Sequence, residues 1–238
     1  MLLRDNLEAY WDFSNVDGVE YYDRKYNATL TGDGDVTVHS SGVFGNAIRM
    51  DGTGGGDYPQ ANLIDTDDRI SFVGSFTFSF WHKPNSVLNN NYSYARGYTG
   101  VATSGIQLTV YTGGMRYQFS TWDSNGVVDS RMITQWPKLP STQYNHICFS
   151  YNRITKKKLL VLNGVTKLDV TATQTSTTGS ALFNRFMVPD SSSVASDFSE
   201  IGFWSRALDV EEINKLWNDG SGRFFNDIIP NAVAKIKN

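Results

Sequence analysis

One cysteine in 238 residues, Cys148, excludes an internal disulfide framework, and its apolar setting Ile147-Cys148-Phe149 points to a buried thiol instead of a reactive one. No apolar run approaches the ~18 residues a membrane helix needs, so membrane insertion is not expected. Met1-Leu2-Leu3 meets Arg4 and Asp5 at once, without the apolar stretch of a secretory leader, which leads us to expect synthesis in a host cytoplasm. Charge is also scarce. The 21 basic and 24 acidic residues leave a net −3, and the one basic run, Lys156-Lys157-Lys158, sits where a solvated hairpin turn is expected. Nucleic-acid binding needs a basic stripe that neutralises several phosphates, so no nucleic-acid partner is expected.

Catalytic signatures are missing too. His39, His82 and His146 lack zinc-site spacing, and no serine stands in a Gly-x-Ser-x-Gly elbow. Gly54-Gly55-Gly56 has neither the lysine nor the following helix of a phosphate-binding loop. Asp65, Asp67 and Asp68 read as a solvated turn, and Glu211-Glu212 as the acidic first turn of a helix. The chain is expected not to be an enzyme.

What is present is a series of short strand signals. The chain is 40% hydrophobic and 13% aromatic, a globular composition. Phe76 to Trp81 alternates aromatic with hydroxyl residues and stops at Pro84. Gly113-Gly114 separates the runs 106–111 and 115–121, and Asn163-Gly164 turns the run 158–162 into 165–170. Leu7 to Phe13 and Ala47 to Met50 are further strand-like runs. A single helix is predicted late. Asp209 and Glu212 form a capping box, Val210, Ile213, Leu216 and Trp217 share one face, and Gly220 supplies a left-handed end. Many strands with one late helix predict an all-β fold, a two-sheet antiparallel β-sandwich with one short C-terminal helix.

Four segments, in order, resemble the laminin-G-like, concanavalin A-like lectin jelly-roll family. They are Gly42-Val43-Phe44-Gly45-Asn46-Ala47, Phe76 through Pro84, Asn145-His146 through Asn163-Gly164, and Glu200 through Leu208 leading into the capped helix. The resemblance spans roughly Leu7 to Gly222 and implies a concanavalin A-like jelly roll over residues 1–222, with a tail at 223–238. Relatives include hydrolases, but their strand motif Glu-x-Asp-x-x-Glu is absent here. Relatives also often hold calcium through hard oxygen ligands, which implies a structural Ca2+ at Asp23, Asn27 and Glu200. The paired acids usual at the last position are replaced by Ser199-Glu200, and Asp23 equally suits an ordinary turn hydrogen bond.

Glycan or partner binding needs aromatic faces beside amides and charges. Tyr92, Tyr94, Arg96 and Tyr98 have that composition within a stretch that reads as a long loop, and Trp122, Asp123 and Asn125 form a second group. In the tail, Phe224, Phe225, Ile228 and Ile229 either fold back on a sheet or anchor the module to an assembly. The family occurs in adhesion modules and in many phage and bacterial surface proteins. We therefore expect a non-catalytic virion module (a bacteriophage capsid decoration, head fibre or tail-associated protein). Its expected partners are other virion proteins and cell-surface glycans, and a homotrimer would suit a fibre or threefold capsid site. The alternative is a laminin-G-like lectin or adhesin domain of a bacterial surface or secreted protein.

Overall fold

Phe76, Phe78 and Phe80 alternate with Thr77, Ser79 and Trp81, so one face of their strand is wholly aromatic. In the computed structural model those three phenylalanines are fully buried and form the centre of the core. The structure describes residues 2–18, 20–24, 28–33, 36–50, 60–64, 74–84, 92–97, 106–111, 115–122, 128–136, 143–172, 183–189 and 196–222.

In chain order the strands are β1 (Leu7–Trp11), β2 (Val16–Asp17), β3 (Glu20–Tyr22), β4 (Thr29–Asp33), β5 (Val36–His39), β6 (Ala47–Met50), β7 (Gln60–Ile64), β8 (Phe76–Pro84) and β9 (Tyr92–Gly97). Then come β10 (Ile106–Tyr111), β11 (Met115–Trp122), β12 (Val128–Trp136), β13 (Asn145–Asn152), β14 (Lys157–Leu162), β15 (Val165–Thr171), β16 (Phe183–Pro189) and β17 (Ser196–Trp204), followed by α1 (Val210–Trp217). One sheet has the order β15-β14-β13-β8-β17-β6-β5, with β1 pairing β17. The other runs β12-β11-β10-β9-β16-β7-β4-β3-β2. The described pairings are antiparallel throughout, so the structure is the two-sheet antiparallel sandwich expected.

Between the sheets, Trp11, Phe78, Phe149, Leu160 and Phe203 of the first sheet meet Tyr21 and Leu30 of the second. Phe13, just beyond β1, meets Tyr21 edge to face at 5.9 Å. Period-2 alternation sends the intervening residues to the outer face of the first sheet. There Tyr10, Cys148, Val161 and Trp204 pack under Leu208, Ile213 and Leu216, so α1 lies across that sheet as a strap. Each such burial contributes ~1.5–3 kcal/mol before entropy is subtracted.

The capping box is present as expected. Asp209 accepts from the Glu212 amide at 2.8 Å, and Glu212 accepts from the Asp209 amide at 3.2 Å. Other readings change. Gly220 is left-handed as expected (φ 88°), but α1 already ends at Asn218 (φ 47°), a residue that tolerates that conformation, and a 3-10 turn over Asn218–Gly220 separates the two. β1 stops at Trp11, since Phe13 adopts a φ of 56°. Of the three lysines expected in a solvated turn, Lys156 does take a turn conformation (φ 58°), while Lys157 and Lys158 begin β14 and Lys158 is buried.

The Asn163-Gly164 turn has φ values of 48° and 73°, as a type I′ hairpin turn requires. A Cβ on Gly164 would come within 2.5 Å of the Trp217 ring. Gly164→Ala should therefore cost about 2–3 kcal/mol in urea unfolding, from strained backbone and displaced indole together. Gly18 (φ 59°) has nothing within 4 Å of its Cβ position, so Gly18→Ala should show only the backbone share, about 1–2 kcal/mol.

Candidate functional site

Tyr92, Tyr94 and Arg96 occupy alternate positions of β9, a strand inside the second sheet and not the loop expected. The pattern Tyr-Ser-Tyr-Ala-Arg is itself period-2, and tyrosine favours pleated backbone over irregular loop. Tyr92 stands opposite Val110 of β10, and Val110 opposite Tyr117 of β11. Trp122 ends β11 five residues further on, about 17 Å along the strand at ~3.3 Å per residue. Because β9 and β11 both run antiparallel to β10, Arg96 and Trp122 lie toward the same end of the sheet. Tyr98, Asp123 and Asn125 lie outside the described residues, as do Phe224, Phe225, Ile228 and Ile229.

The implied calcium set divides. Asp23 is buried after β3, and its Oδ1 accepts from the Ala28 amide at 3.1 Å, the turn role foreseen as the alternative. Asn27 lies outside the described residues. Glu200 sits at a break in the register of β17 with φ 51° and is only 4% exposed. Tyr10 donates its hydroxyl to Glu200 Oε2, while Oε1 is buried with no hydrogen-bond partner. Burial, against the opposing hydrogen bond from Tyr10, pushes the Glu200 carboxyl up to about 8, and Asp12 pushes it the same way. Calcium would thus find one uncommitted oxygen there, on a group that holds a proton at neutral pH. Among the described residues no three His, Cys, Asp or Glu side chains are gathered to hold a metal.

The reactive-looking groups serve packing. Ser79 and His146 are 2.8 Å apart, which resembles a nucleophile and base, but both are buried, and the Trp81 and Trp217 rings pack against His146. Burial lowers His146 to about 3, too weak a base for the role, and raises the Cys148 thiol. Glu212 is held by Arg206 through two 2.8 Å hydrogen bonds, leaving neither of its oxygens for catalysis.

Sequence reasoning missed two features. Asp197 is fully buried on the outer face of the first sheet, gripped by Arg49 at 2.8 and 3.1 Å with Lys83 at 3.8 Å. Arg49, Asp197 and Lys83 are cross-strand neighbours, a relation only the register discloses. The second is a groove of about 390 Å³ between the β13–β14 hairpin and the start of α1. Asn152 and Lys157 line it from the hairpin with Leu159 below, and Leu208, Asp209 and Glu211 from the other side. A capped helix laid over a hairpin was legible, but the space left at its first turn was not.

Residues 53–214, well over half the chain, match the Laminin_G_3 model, described as the concanavalin A-like lectin/glucanases superfamily. The chain belongs to this superfamily. Solved structures share the superfamily fold at low identity. The binding domain of Paraclostridial Mosquitocidal Protein 1 is 17% identical with a TM-score of 0.68, over 92% of this chain and 53% of that one. The binding domain of botulinum neurotoxin DC in complex with rat synaptotagmin II is 14% identical (TM-score 0.68), over 91% and 52%. Botulinum neurotoxin type C, whose passage into cells depends on interaction with two ganglioside molecules, is 16% identical (TM-score 0.70), over 91% and 52%. The superfamily chain described here thus spans about half the length of each. No curated protein sequence matches it.

Proposed function

We propose that this superfamily member is a non-catalytic, glycan-binding module displayed on a surface. The observation that carries the reading is its superposition, over nine-tenths of its length, on half of binding domains that include a ganglioside-dependent toxin. Such a fold hosts both lectins and hydrolases, so the site must decide, and Glu212, Asp209 and Asp197 are engaged in an ion pair, a helix cap and a buried cluster. A glycan array with the full chain tests it. Binding to a defined glycan class with no release of shorter sugars supports the reading, and turnover lost on changing one carboxylate overturns it.

Display on a virion is the finer part of the proposal, supported by the resemblance to phage surface proteins of this family. Mass spectrometry of purified particles would find the chain in fixed proportion to capsid or tail proteins. Glycan binding without incorporation into particles favours the adhesin alternative. A homotrimer, anchored through the tail that begins at residue 223, belongs to the same proposal.

Calcium at Asp23, Asn27 and Glu200 completes it. Binding must expel the Glu200 proton, so affinity should rise with pH. At a hundredfold excess over Kd the ion adds about 2.7 kcal/mol, or a Tm rise of about 5–10 °C. Equal melting in calcium and in EDTA at pH 9 removes calcium from the account.

A further inference from the structure

Resting on the lectin reading, we infer that the groove at the start of α1 is a saccharide site, and that it selects neutral sugars over acidic ones. Its size, about 390 Å³, falls within the ~300–1,000 Å³ typical of small-ligand pockets. Its apolar lining comes from the half-buried Ala207 and Val210 over the buried Leu159 and Leu208, a surface on which the C–H face of a sugar ring can rest.

The rim supplies donors and acceptors not consumed by the fold. Asn152 uses Oδ1 to accept from the Ile154 and Thr155 amides, both at 3.0 Å, which leaves its amide NH2 to donate into the groove. Asp209 spends Oδ1 on the Glu212 amide and keeps Oδ2. Glu211 is exposed and makes no side-chain hydrogen bond to any of the described residues. Lys157 commits one donor to Asp169, at 3.1 Å, and retains two. The first-turn amides of Val210 and Glu211 lack intrahelical acceptors, as at any helix start. Hydroxyl groups both donate and accept, so a polyol can satisfy such an interleaved rim, whereas a purely apolar ligand would strand it.

Charge decides the class. Two carboxylates, Asp209 and Glu211, face one ammonium, and that ammonium already neutralises Asp169. A uronate, sialate or sulfate brought into the groove would meet net negative charge; a neutral hexose or N-acetylhexosamine would not.

Saturation-transfer NMR on the full chain would compare methyl hexosides and N-acetylglucosamine with glucuronate and sialyllactose. Two variants locate the site: Val210→Trp, which fills the groove, and Glu211→Lys, which reverses the rim charge at an exposed position. Neutral sugars should bind the parent at least tenfold better than acidic ones. Val210→Trp should weaken that binding at least tenfold, and Glu211→Lys should narrow or invert the preference, with a melting temperature lowered by only a few degrees through the loss of a first-turn acid. If Val210→Trp does not fold, Glu211→Lys alone decides. Glycan binding that persists unchanged in Glu211→Lys, or a parent preference for acidic sugars, overturns the inference and leaves the lectin reading standing. No binding to any sugar on the array removes both. Competition by lysine-rich peptides in place of sugars would make the groove a peptide site and likewise overturn it.

Discussion

Raising the pH from 5 to 9 is expected to destabilise the protein by about 4 kcal/mol through Glu200 alone, and Glu200→Gln should abolish that part of the dependence. The carboxyl titrates near 4.5 in the unfolded chain, and burial pushes it up to about 8 in the fold. At ~1.36 kcal/mol per unit the full linkage is about 5 kcal/mol, of which roughly 1 kcal/mol is already lost at pH 5. The sign follows from burial. The folded state holds the proton more tightly than the unfolded one, so this stability is complete below pH 4.5, falls as the unfolded chain ionises, and is gone above pH 8. The groups that interact with Glu200 are Tyr10, Asp12, Arg24 and Ser199. Arg24 favours ionisation but is itself tied to Asp12, by Nε at 2.6 Å. Glutamine keeps an acceptor for the Tyr10 hydroxyl and cannot ionise, so the diagnostic is the slope of stability against pH, read from urea melts. An unchanged slope in Glu200→Gln would mean the carboxyl is solvated and ionised in the fold.

Arg206→Ala should cost about 3–5 kcal/mol, because it leaves a buried carboxylate without its cation. Arg206 is 9% exposed and Glu212 7%, and their two 2.8 Å hydrogen bonds form a bidentate pair. The guanidinium also donates to the Asp5 carbonyl at 2.8 Å and the Leu2 carbonyl at 2.9 Å. One side chain thus ties α1 to the segment before β1. Removing both charges in Arg206→Met/Glu212→Leu should recover a large part of the loss, although the capping-box bond to the Asp209 amide goes with it, at about 1 kcal/mol. Hydrogen exchange should show residues 2–8 losing protection in Arg206→Ala before the core strands do. A cost under 1 kcal/mol would mean the pair is solvated like a surface ion pair.

The first sheet was the more legible half. Phe76 to Trp81, Ile147 to Tyr151 and Leu159 to Leu162 carry their own period and turn residues, and Asp209 with Glu212 announces the helix. Tyr92 to Arg96 also alternates, but flanking asparagines and glycine gave it the composition of a loop, and only pairing with β10 and β16 makes it a strand. Site residues were less accessible. The Asp197 cluster draws on four separate strands, since His39 of β5 also lies 3.3 Å from the carboxylate, and the groove exists only where a helix start overhangs a hairpin. Glu200 stood out as a departure from the family's paired acids, yet its burial against Tyr10 depends on a partner 190 positions away.

That separation governs how the chain can be made. Among the described residues β1 finds its strand partner in β17, so Leu7, Ala9 and Trp11 emerge from the ribosome long before the strand that pairs with them. At ~5–20 residues per second the wait for the other half of that ladder is about 10–40 s. Throughout it a sticky segment is exposed on the growing polypeptide, a window in which chaperone capture or premature association with other nascent chains competes with native closure.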